Sequence, residues 1–515
     1  MSNENYIFYD TEGTGTHARY DTPLQYAAIR TNDKFETIEE INIRCRLPKH
    51  IVPHPQALFV THVNPYDIDK DSMSPYEFAS AINAFQGKRA NTVFVGQNIL
   101  KYDEEIMRTL MWMNMQDPYI SSRKDSRRID TLPMLQIMHA LAPGFIKTNL
   151  NNNGNHVFKL DQVAPLNGFD EHNAHDALGD DRATIFMFKL MQERKPELFN
   201  MAIQLTYPDK VDDMFTKARE NGEPLYYMLH YGKPEWKCVY PIAKFQKKWG
   251  VIDLTQDTRF WSQCNGTQWF NRAYPYLNKE QGTLPGFAPS APSEEDKLAS
   301  RAFQSIAINK QPTIVSRSML EAAGIDPKSL GIADMPDAQI LKERIGSLQR
   351  PVVALAAQSA MEKQSKAFAP SLNIEEKIYA GFPSWADKDL MARFRDAQDW
   401  DVRKNIMSSF KMDNLRQIGT RILFEEAPEL LKTAPQIEKA IIQRRLYAEP
   451  AQGESHDSIP WTTIPAATDA AIALHKEHNT PETANILQWY KDQDQYWRAR
   501  LEDIENTNEK TQNTR

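Results

Sequence analysis

The feature that most constrains the fold is an apolar segment that ends in two acids, Asp10 and Glu12. Residues 6–13 read YIFYDTEG, and this apolar, aromatic run predicts a buried β-strand. Side chains two residues apart on a strand point to the same side, so both carboxylates would converge on one spot. Two like charges at the end of a buried strand are costly unless a cation lies between them. Alone the pattern is a weak signal of a metal site, and its weight depends on acids elsewhere.

Two later segments supply acids in matching contexts. A second apolar strand candidate, residues 91–96, leads to Asp103 at the start of an amphipathic helix. A third segment, His175-Asp-Ala-Leu-Gly-Asp180, enters an apolar helix. Residues five apart on a helix point about 140° away from each other, so we expect His175 on the loop and Asp180 one turn into the helix. Taken singly, Asp103 suits a helix N-cap and His175 a surface histidine, but three such segments together indicate one site.

The order Asp-x-Glu, Asp, His-x4-Asp resembles the DEDD superfamily of 3′→5′ exonucleases, in its DEDDh branch. The sister branch has Tyr four residues before the last Asp, where this chain has Asp176. The flanking segments are similar to the exodeoxyribonuclease I family of bacteria. The similar segments are residues 12–17, 21–30, 117–119 and 173–180, with thinner likeness at 308–312 and 378–384.

The resemblance implies three domains of different fold class. They are an α/β ribonuclease H-like exonuclease domain with a mixed sheet (1–198), an SH3-like α+β domain (199–352), an all-α domain (353–504), and a tail (505–515). The residues themselves indicate alternating strands and helices in the first part, short strands with long irregular connections in the second, and only helices in the third. The tail has almost no apolar residues, which predicts disorder.

The resemblance also implies that Asp10, Glu12, Asp103 and Asp180 bind two Mg²⁺ ions, with Mn²⁺ as an alternative. Two divalent ions about 3.5–4 Å apart can activate a water and stabilise the departing 3′-oxygen of a phosphodiester. Hard cations prefer carboxylate oxygens, and four carboxylates balance two such ions in formal charge. His175 is the predicted general base, because a histidine with an ordinary pKa of about 6.5 can accept the proton of the attacking water.

Four residues match family positions that contact the substrate: Glu12, Lys159, Arg108 and Tyr119. Lys159 replaces a family arginine, which keeps the charge but loses the two-pronged hydrogen bonding of a guanidinium. A tyrosine such as Tyr119 can stack on a base without reading its identity. If they had no role in substrate binding, Arg108 would be a solvated helix residue and Tyr119 a core residue.

Composition limits the remaining possibilities. The net charge is −7, so any nucleic-acid contact depends on local clusters of cations. Two basic runs stand out, residues 123–128 and 244–249. The second interleaves Phe245 and Trp249 with three lysines, which is typical of single-strand grooves.

No 18-residue apolar run is present, which argues against a membrane-spanning helix. The first residues lack a secretory pattern. Cys45, Cys238 and Cys264 are too few and too far apart for a disulfide framework or a zinc cluster. These features predict a cytoplasmic protein, and we expect a monomer.

The predicted activity is hydrolysis of single-stranded DNA from its 3′ end to 5′-mononucleotides. Three alternatives remain open: a DEDDh exonuclease acting on RNA, a non-catalytic nucleic-acid-binding scaffold, and a proofreading subunit of a polymerase. Single-stranded-DNA-binding protein is a partner that the resemblance implies, although Ala142 stands where the family has a basic residue.

Overall fold

The computed structural model describes residues 4–170, 177–229, 232–275, 300–366, 373–430, 434–449 and 459–512. Contacts within the chain divide it into two compact units. The first unit consists of Met1–Arg128, Glu171–Ile185 and Ser371–Arg515, and the second of Ile129–Asp170 and Phe186–Pro370. The predicted general base, His175, lies outside the described residues.

A mixed five-stranded sheet occupies the N-terminal part of the chain. Its strands are β1 (Asn5–Gly13), β2 (Pro23–Thr31), β3 (Thr37–Arg44), β4 (Thr92–Gly96) and β5 (Ser126–Asp130). Their order is β3-β2-β1-β4-β5, with β1 antiparallel to β2 and parallel to β4. The apolar residues Ile7, Phe8 and Tyr9 are buried because β1 is a central strand. The strands predicted over residues 6–13 and 91–96 are confirmed.

The described residues before 222 also form eight α-helices and a short hairpin. The helices are α1 (Pro55–Val60), α2 (Pro75–Gly87), α3 (Asp103–Met113), α4 (Thr131–Leu141), α5 (Leu160–Leu166), α6 (Ala177–Arg194), α7 (Pro196–Gln204) and α8 (Pro208–Asn221). The hairpin pairs β6 (Asn149–Leu150) with β7 (His156–Val157). Helix α6 ends before Pro196, whose ring suits the first turn of a new helix.

The middle of the chain forms an antiparallel five-stranded sheet in the second unit. Its strands are β8 (Leu225–Leu229), β9 (Glu235–Phe245), β10 (Lys248–Asp253), β11 (Phe303–Ala307) and β12 (Ile314–Ser316), in the order β11-β10-β9-β8-β12. Its helices are α9 (Arg259–Gln263), α10 (Gly266–Ala273), α11 (Arg317–Ala322), α12 (Ala338–Leu348) and α13 (Pro351–Lys366). The short strands predicted for this region are confirmed.

The prediction that Trp249 lines a stacking groove within residues 244–249 is wrong. Trp249 is only 5% exposed and stacks on Phe215, with ring centroids 5.6 Å apart. Its indole nitrogen donates to Asp212 at 2.7 Å, and Lys244 pairs with the same carboxylate at 2.5 Å. The aromatic ring is therefore part of the interior of the second unit, and the neighbouring lysine charge is partly neutralised.

The C-terminal part is helical, as predicted. Its helices are α14 (Trp385–Asp396), α15 (Trp400–Ser408), α16 (Asp413–Glu426), α17 (Ala434–Ile441), α18 (Ile464–His478) and α19 (Pro481–Gln512). Helix α19 continues eight residues past Ile504, into the segment whose polarity predicted disorder. Glu, Lys and Gln in that segment have good helix propensity, which permits the extension. None of the described helices is both long and apolar enough to cross a membrane.

Within the first unit, the C-terminal helices share an interior with the N-terminal sheet. Trp112 donates from its indole nitrogen to the carbonyl of Ile374 at 3.1 Å, and Tyr490 donates to the carbonyl of Pro53 at 2.6 Å. Removing the C-terminal part would leave such buried polar groups unpaired and expose apolar surface. A truncation is therefore a poor test of what these helices contribute to function.

Candidate active site

The end of β1 positions Asp10 and Glu12. Regular pairing with β2 continues through Glu12 and shifts at Gly13. A Cβ on Gly13 would overlap the hydroxyl of Tyr102, which itself donates to the carbonyl of Gly15 at 2.5 Å. Glycine at position 13 therefore lets the residue before α3 approach the strand end closely.

Asp103 is the first residue of α3, and it is buried. Its carboxylate accepts a hydrogen bond from the hydroxyl of Thr11 at 2.5 Å. The N-cap residue of the helix is Tyr102, so the alternative interpretation of Asp103 as a helix N-cap is wrong. A Cβ on Gly96 would lie 2.7 Å from the carbonyl oxygen of Tyr9, so glycine is also needed where β4 turns toward this helix.

Asp180 lies in the first turn of α6, as predicted. One carboxylate oxygen from each of Asp10, Glu12 and Asp180 can be chosen so that all three lie within 4.8 Å of one another. Acids from residues 10, 12 and 180 are thus gathered within the reach of a single cation. The donors are all carboxylate oxygens, which suits a hard divalent ion.

The electrostatics of the cluster link Asp103 to the other three acids. Desolvation raises the pKa of Asp10 well above its ordinary value, and the charges of Asp103, Glu12 and Asp180 raise it further. Four carboxylates so arranged repel each other in the absence of a cation. A divalent ion would relieve this repulsion, so the residues present fit the metal that the sequence implies.

A fifth acid, Asp181, stands beside the cluster and was missed by the sequence reasoning. It is 1% exposed, and one of its carboxylate oxygens has no hydrogen-bond partner among the residues that the structure describes. Burial raises its pKa well above the ordinary value, and the charges of Asp10, Asp180 and Asp103 add to this effect. Buried Thr184 and Phe188, three and seven residues later, share its helix face. That periodicity was the available signal that Asp181 points inward.

Glu104, next to Asp103, is hydrogen-bonded to three segments around the cluster: β1, α3 and residues 121–128. Its buried carboxylate accepts hydrogen bonds from four donors. They are the hydroxyls of Tyr9 and Ser121, both at 2.8 Å, and the guanidinium groups of Arg128 at 3.0 Å and Arg108 at 3.4 Å. Because Tyr9 precedes Asp10, this network fixes β1 against the start of α3.

We expect Glu104→Gln to lower the free energy of unfolding by about 3 kcal/mol, because it removes the buried carboxylate that faces the guanidinium groups of both Arg128 and Arg108. Tyr9→Phe removes one of the four hydrogen bonds and should cost only about 1 kcal/mol. The matched control is Glu105→Gln, which alters a more exposed ion pair to Arg108 and should cost less than about 1 kcal/mol. Urea denaturation measures all three, and equal costs for Glu104→Gln and Glu105→Gln would contradict the assignment.

The predicted substrate residues have different surroundings. Arg108 is paired with Glu104 and Glu105 and lies 5.9 Å from the ring centroid of Tyr119, so it is not a freely solvated helix residue. The hydroxyl of Tyr119 donates to the carbonyl of Ile378 at 3.4 Å. Both residues belong to the first unit.

Lys159 is exposed and directly precedes α5 in the second unit. The roles of Lys159, Arg108 and Tyr119 toward substrate stay predictions.

Known proteins resemble the chain in both sequence and fold. The RNase T exonuclease family model matches residues 7–188, which include the four acids. The chain is 28% identical to exodeoxyribonuclease I of Escherichia coli (strain K12) over 399 residues, which cover 75% of this chain and 78% of that protein. It is 31% identical to exodeoxyribonuclease I of Buchnera aphidicola subsp. Schizaphis graminum over 46% of this chain and 50% of that protein.

Two solved structures share the fold over almost the whole chain. Exonuclease I of Methylocaldum szegediense has a TM-score of 0.77 at 22% identity, covering 96% of this chain and 99% of that one. E. coli exonuclease I in complex with a dA16 oligonucleotide has a TM-score of 0.75 at 22% identity, covering 96% and 100%. The gathered acids agree with these likenesses: residues 7–188 match the exonuclease family model, and the protein is an exodeoxyribonuclease I-like exonuclease, which is a hydrolase.

Proposed function

We propose that this protein is a 3′→5′ exonuclease that hydrolyses single-stranded DNA to 5′-mononucleotides with two Mg²⁺ ions. The observation that carries the proposal is the convergence of Asp10, Glu12 and Asp180, whose carboxylate oxygens lie within 4.8 Å of one another. A second support is the fold shared with a relative that was solved with a single-stranded oligonucleotide. The order of these residues along the chain, with His175 between Asp103 and Asp180, is the DEDDh order.

Different residues of the chain would bind the metal ions and accept the proton during phosphodiester hydrolysis. When bound, divalent ions would neutralise the phosphate, activate the attacking water and stabilise the leaving 3′-oxygen. Asp10 and Glu12 would hold them from a rigid strand end, and Asp103 would be oriented by the hydroxyl of Thr11. His175 would take a proton from the attacking water.

As the water oxygen bonds to phosphorus, the bond from phosphorus to the 3′-oxygen of the upstream nucleotide breaks. The phosphate stays on the 5′-oxygen of the released nucleotide, and the departing 3′-oxygen takes a proton from solvent water to become the 3′-hydroxyl of the shortened strand.

The other family-derived roles belong to the same proposal. Glu12, Lys159, Arg108 and Tyr119 would contact the terminal nucleotides. The first part of the chain would be a ribonuclease H-like domain and the antiparallel middle sheet an SH3-like domain. The protein would act as a monomer and would bind single-stranded-DNA-binding protein. Ala142 stands where the family has a basic residue, which weakens the expectation of this partner.

We expect a 5′-labelled oligodeoxynucleotide to shorten stepwise with Mg²⁺ and to stay intact with a chelator. The same oligonucleotide labelled at its 3′ end should release labelled 5′-mononucleotide at once, because cleavage starts at that end. Duplex DNA of the same sequence and a matching RNA should be degraded much more slowly. Gel electrophoresis follows the lengths, and thin-layer chromatography identifies the product.

The comparison of substrates separates this proposal from its alternatives. Faster degradation of RNA than of DNA would favour a ribonuclease. Binding of both without any hydrolysis would favour a scaffold role and would refute the catalytic proposal.

A further inference from the structure

Asp181 is a buried acid to which the catalytic proposal gives no role. It directly follows Asp180 on helix α6, and its side chain is almost fully buried, whereas Asp180 is only partly buried. One of its carboxylate oxygens finds no hydrogen-bond partner among the described residues. Burying a carboxylate without a partner is costly, so a nearby cation would be needed to compensate its charge.

The basic residue next to Asp181 does not supply that compensation. Arg182 is 49% exposed and pairs with Glu40 of β3 at 3.3 Å. Consecutive helix residues point about 100° apart, so Arg182 can lie toward solvent while Asp181 lies toward the interior. Within the described part of the chain, Asp181 forms no ion pair with a lysine or an arginine.

Asp181 lies on the buried face of α6, beside the gathered acids. Oxygens of Asp10, Glu12 and Asp180 can lie within 4.8 Å of one another, and Asp181 does not belong to that group. Burial is the main cause that raises the pKa of Asp181, and the charge of Asp10 is the next largest. Asp181 therefore stands next to Asp10 but outside the group of converging oxygens.

A fifth carboxylate changes the balance of charge at this site. Four acids match the positive charges of two divalent ions, and Asp181 adds one further negative charge. In a poorly hydrated interior such a charge attracts a cation over several ångströms, because little water screens it. Groups just outside the ligands of a metal change its affinity about ten- to a hundredfold.

We propose that Asp181 is a fifth acid of the metal centre, which strengthens the binding of divalent cations from a position next to Asp10. The inference rests on the proposed function and deepens it, because it assigns a role in metal affinity to a residue outside the DEDDh set. Asp181 acts on the cations through Asp10 and touches neither the substrate nor the reacting atoms. It is therefore a positioning residue and not a catalytic one.

The charge of Asp181 has opposite effects on the metal-free and the metal-bound protein. Without metal it adds to the repulsion among the acids and destabilises the fold. With metal the same charge is attracted to the cations, so binding them stabilises the fold more strongly. Removing the charge should raise the Tm in chelator and reduce the rise in Tm that Mg²⁺ produces.

The test uses the full chain and two variants, Asp181→Asn and Asp181→Val, which both remove the charge with little change in shape. Mg²⁺ affinity is measured without DNA, by isothermal titration calorimetry and by the Tm at increasing MgCl₂. The affinity should fall about tenfold or more in both variants. Mn²⁺ should lose affinity by a similar factor, because the effect depends on charge.

Hydrolysis of single-stranded DNA gives a readout that a purely structural role would not move. The Mg²⁺ concentration for the half-maximal rate should rise about tenfold in both Asp181 variants, whereas kcat at saturating Mg²⁺ should stay close to that of the wild type. In Asp10→Asn, by contrast, excess Mg²⁺ should not restore the rate, because a metal ligand itself is missing.

Asp387→Asn is the matched control, because it removes the charge of another buried acid, in the first turn of α14. The carboxylate of Asp387 accepts hydrogen bonds from the hydroxyl of Ser384 at 2.9 Å and from the backbone nitrogen of Lys411 at 2.8 Å. The substitution should therefore lower the Tm. It should leave both the Mg²⁺ affinity and the Mg²⁺ dependence of the rate unchanged.

The outcomes distinguish the two proposals. If the wild type binds Mg²⁺ and degrades single-stranded DNA but both Asp181 variants keep its Mg²⁺ affinity, the fifth-acid role is refuted and the proposed function stands. If the wild type neither responds to Mg²⁺ nor degrades the strands, the proposed function itself fails.

Two further results would overturn the role of Asp181. Loss of hydrolysis at every Mg²⁺ concentration in both variants would make Asp181 an indispensable ligand and not a supporting acid. Failure of both variants to fold would also contradict the inference, because removing a repelling charge should stabilise the metal-free protein.

Discussion

Asp10→Asn should lower the rate of Mg²⁺-dependent hydrolysis of single-stranded DNA about a thousandfold or more. The substitution removes a charged ligand from the cluster where oxygens of Asp10, Glu12 and Asp180 converge. Metal ions supply several kcal/mol of transition-state stabilisation in such reactions, and about 1.4 kcal/mol corresponds to a factor of ten in rate. Initial rates over a range of Mg²⁺ concentrations measure the loss.

The same variant should be more stable than the wild type when no metal is present. In the metal-free wild type, desolvation and the neighbouring acids raise the pKa of Asp10. A group with a raised pKa in the folded state contributes stability at low pH, and this contribution is lost as the pH rises through that pKa. The chelated wild type should therefore become less stable toward neutral pH, and Asp10→Asn should flatten this dependence.

Thermal unfolding with chelator and with Mg²⁺ tests the argument independently of activity. Mg²⁺ should raise the Tm of the wild type at neutral pH and raise that of Asp10→Asn much less. The exposed Asp33→Asn is the matched control, with the same loss of charge and no expected effect on either quantity. An equal Mg²⁺-induced shift in Asp10→Asn and the wild type would remove Asp10 from the metal site.

The positions of the acids were predictable because each is set by local patterning. An apolar run ends at Asp10, and amphipathic helices begin at Asp103 and just before Asp180, as period-two and period-3.6 patterns indicate. Side-chain direction followed from the same patterns. That the three segments meet was inferred from their matching contexts and from the family resemblance, since periodicity says nothing about which segments become neighbours.

What escaped prediction depends on partners distant in sequence. The carboxylate of Glu104 is satisfied by Ser121 and Arg128, which are 17 and 24 residues away. Trp249 was misjudged because its indole partner, Asp212, lies 37 residues earlier on another element. No local rule indicates that an aromatic ring at the end of a basic run will be buried when a remote carboxylate accepts its hydrogen bond.

His175→Ala should lower kcat by about a hundredfold to ten-thousandfold, the range typical of lost general-base catalysis. The role rests on the position of His175 in the DEDDh order, five residues before Asp180. Because the four acids are intact, Mg²⁺ should still raise the Tm of this variant as it does that of the wild type. That retained shift distinguishes it from Asp10→Asn, in which activity and metal response are lost together.

The pH profile gives the second readout for His175. A general base acts in its neutral form, so kcat of the wild type should rise with pH through the titration of a histidine, whose ordinary pKa is about 6.5. His175→Ala should lose this limb of the profile, whereas His62→Ala, at an exposed histidine paired with Glu482, should keep it. Near-normal turnover in His175→Ala, or an unchanged limb, would exclude His175 as the base and leave the deprotonation of water to the acid cluster.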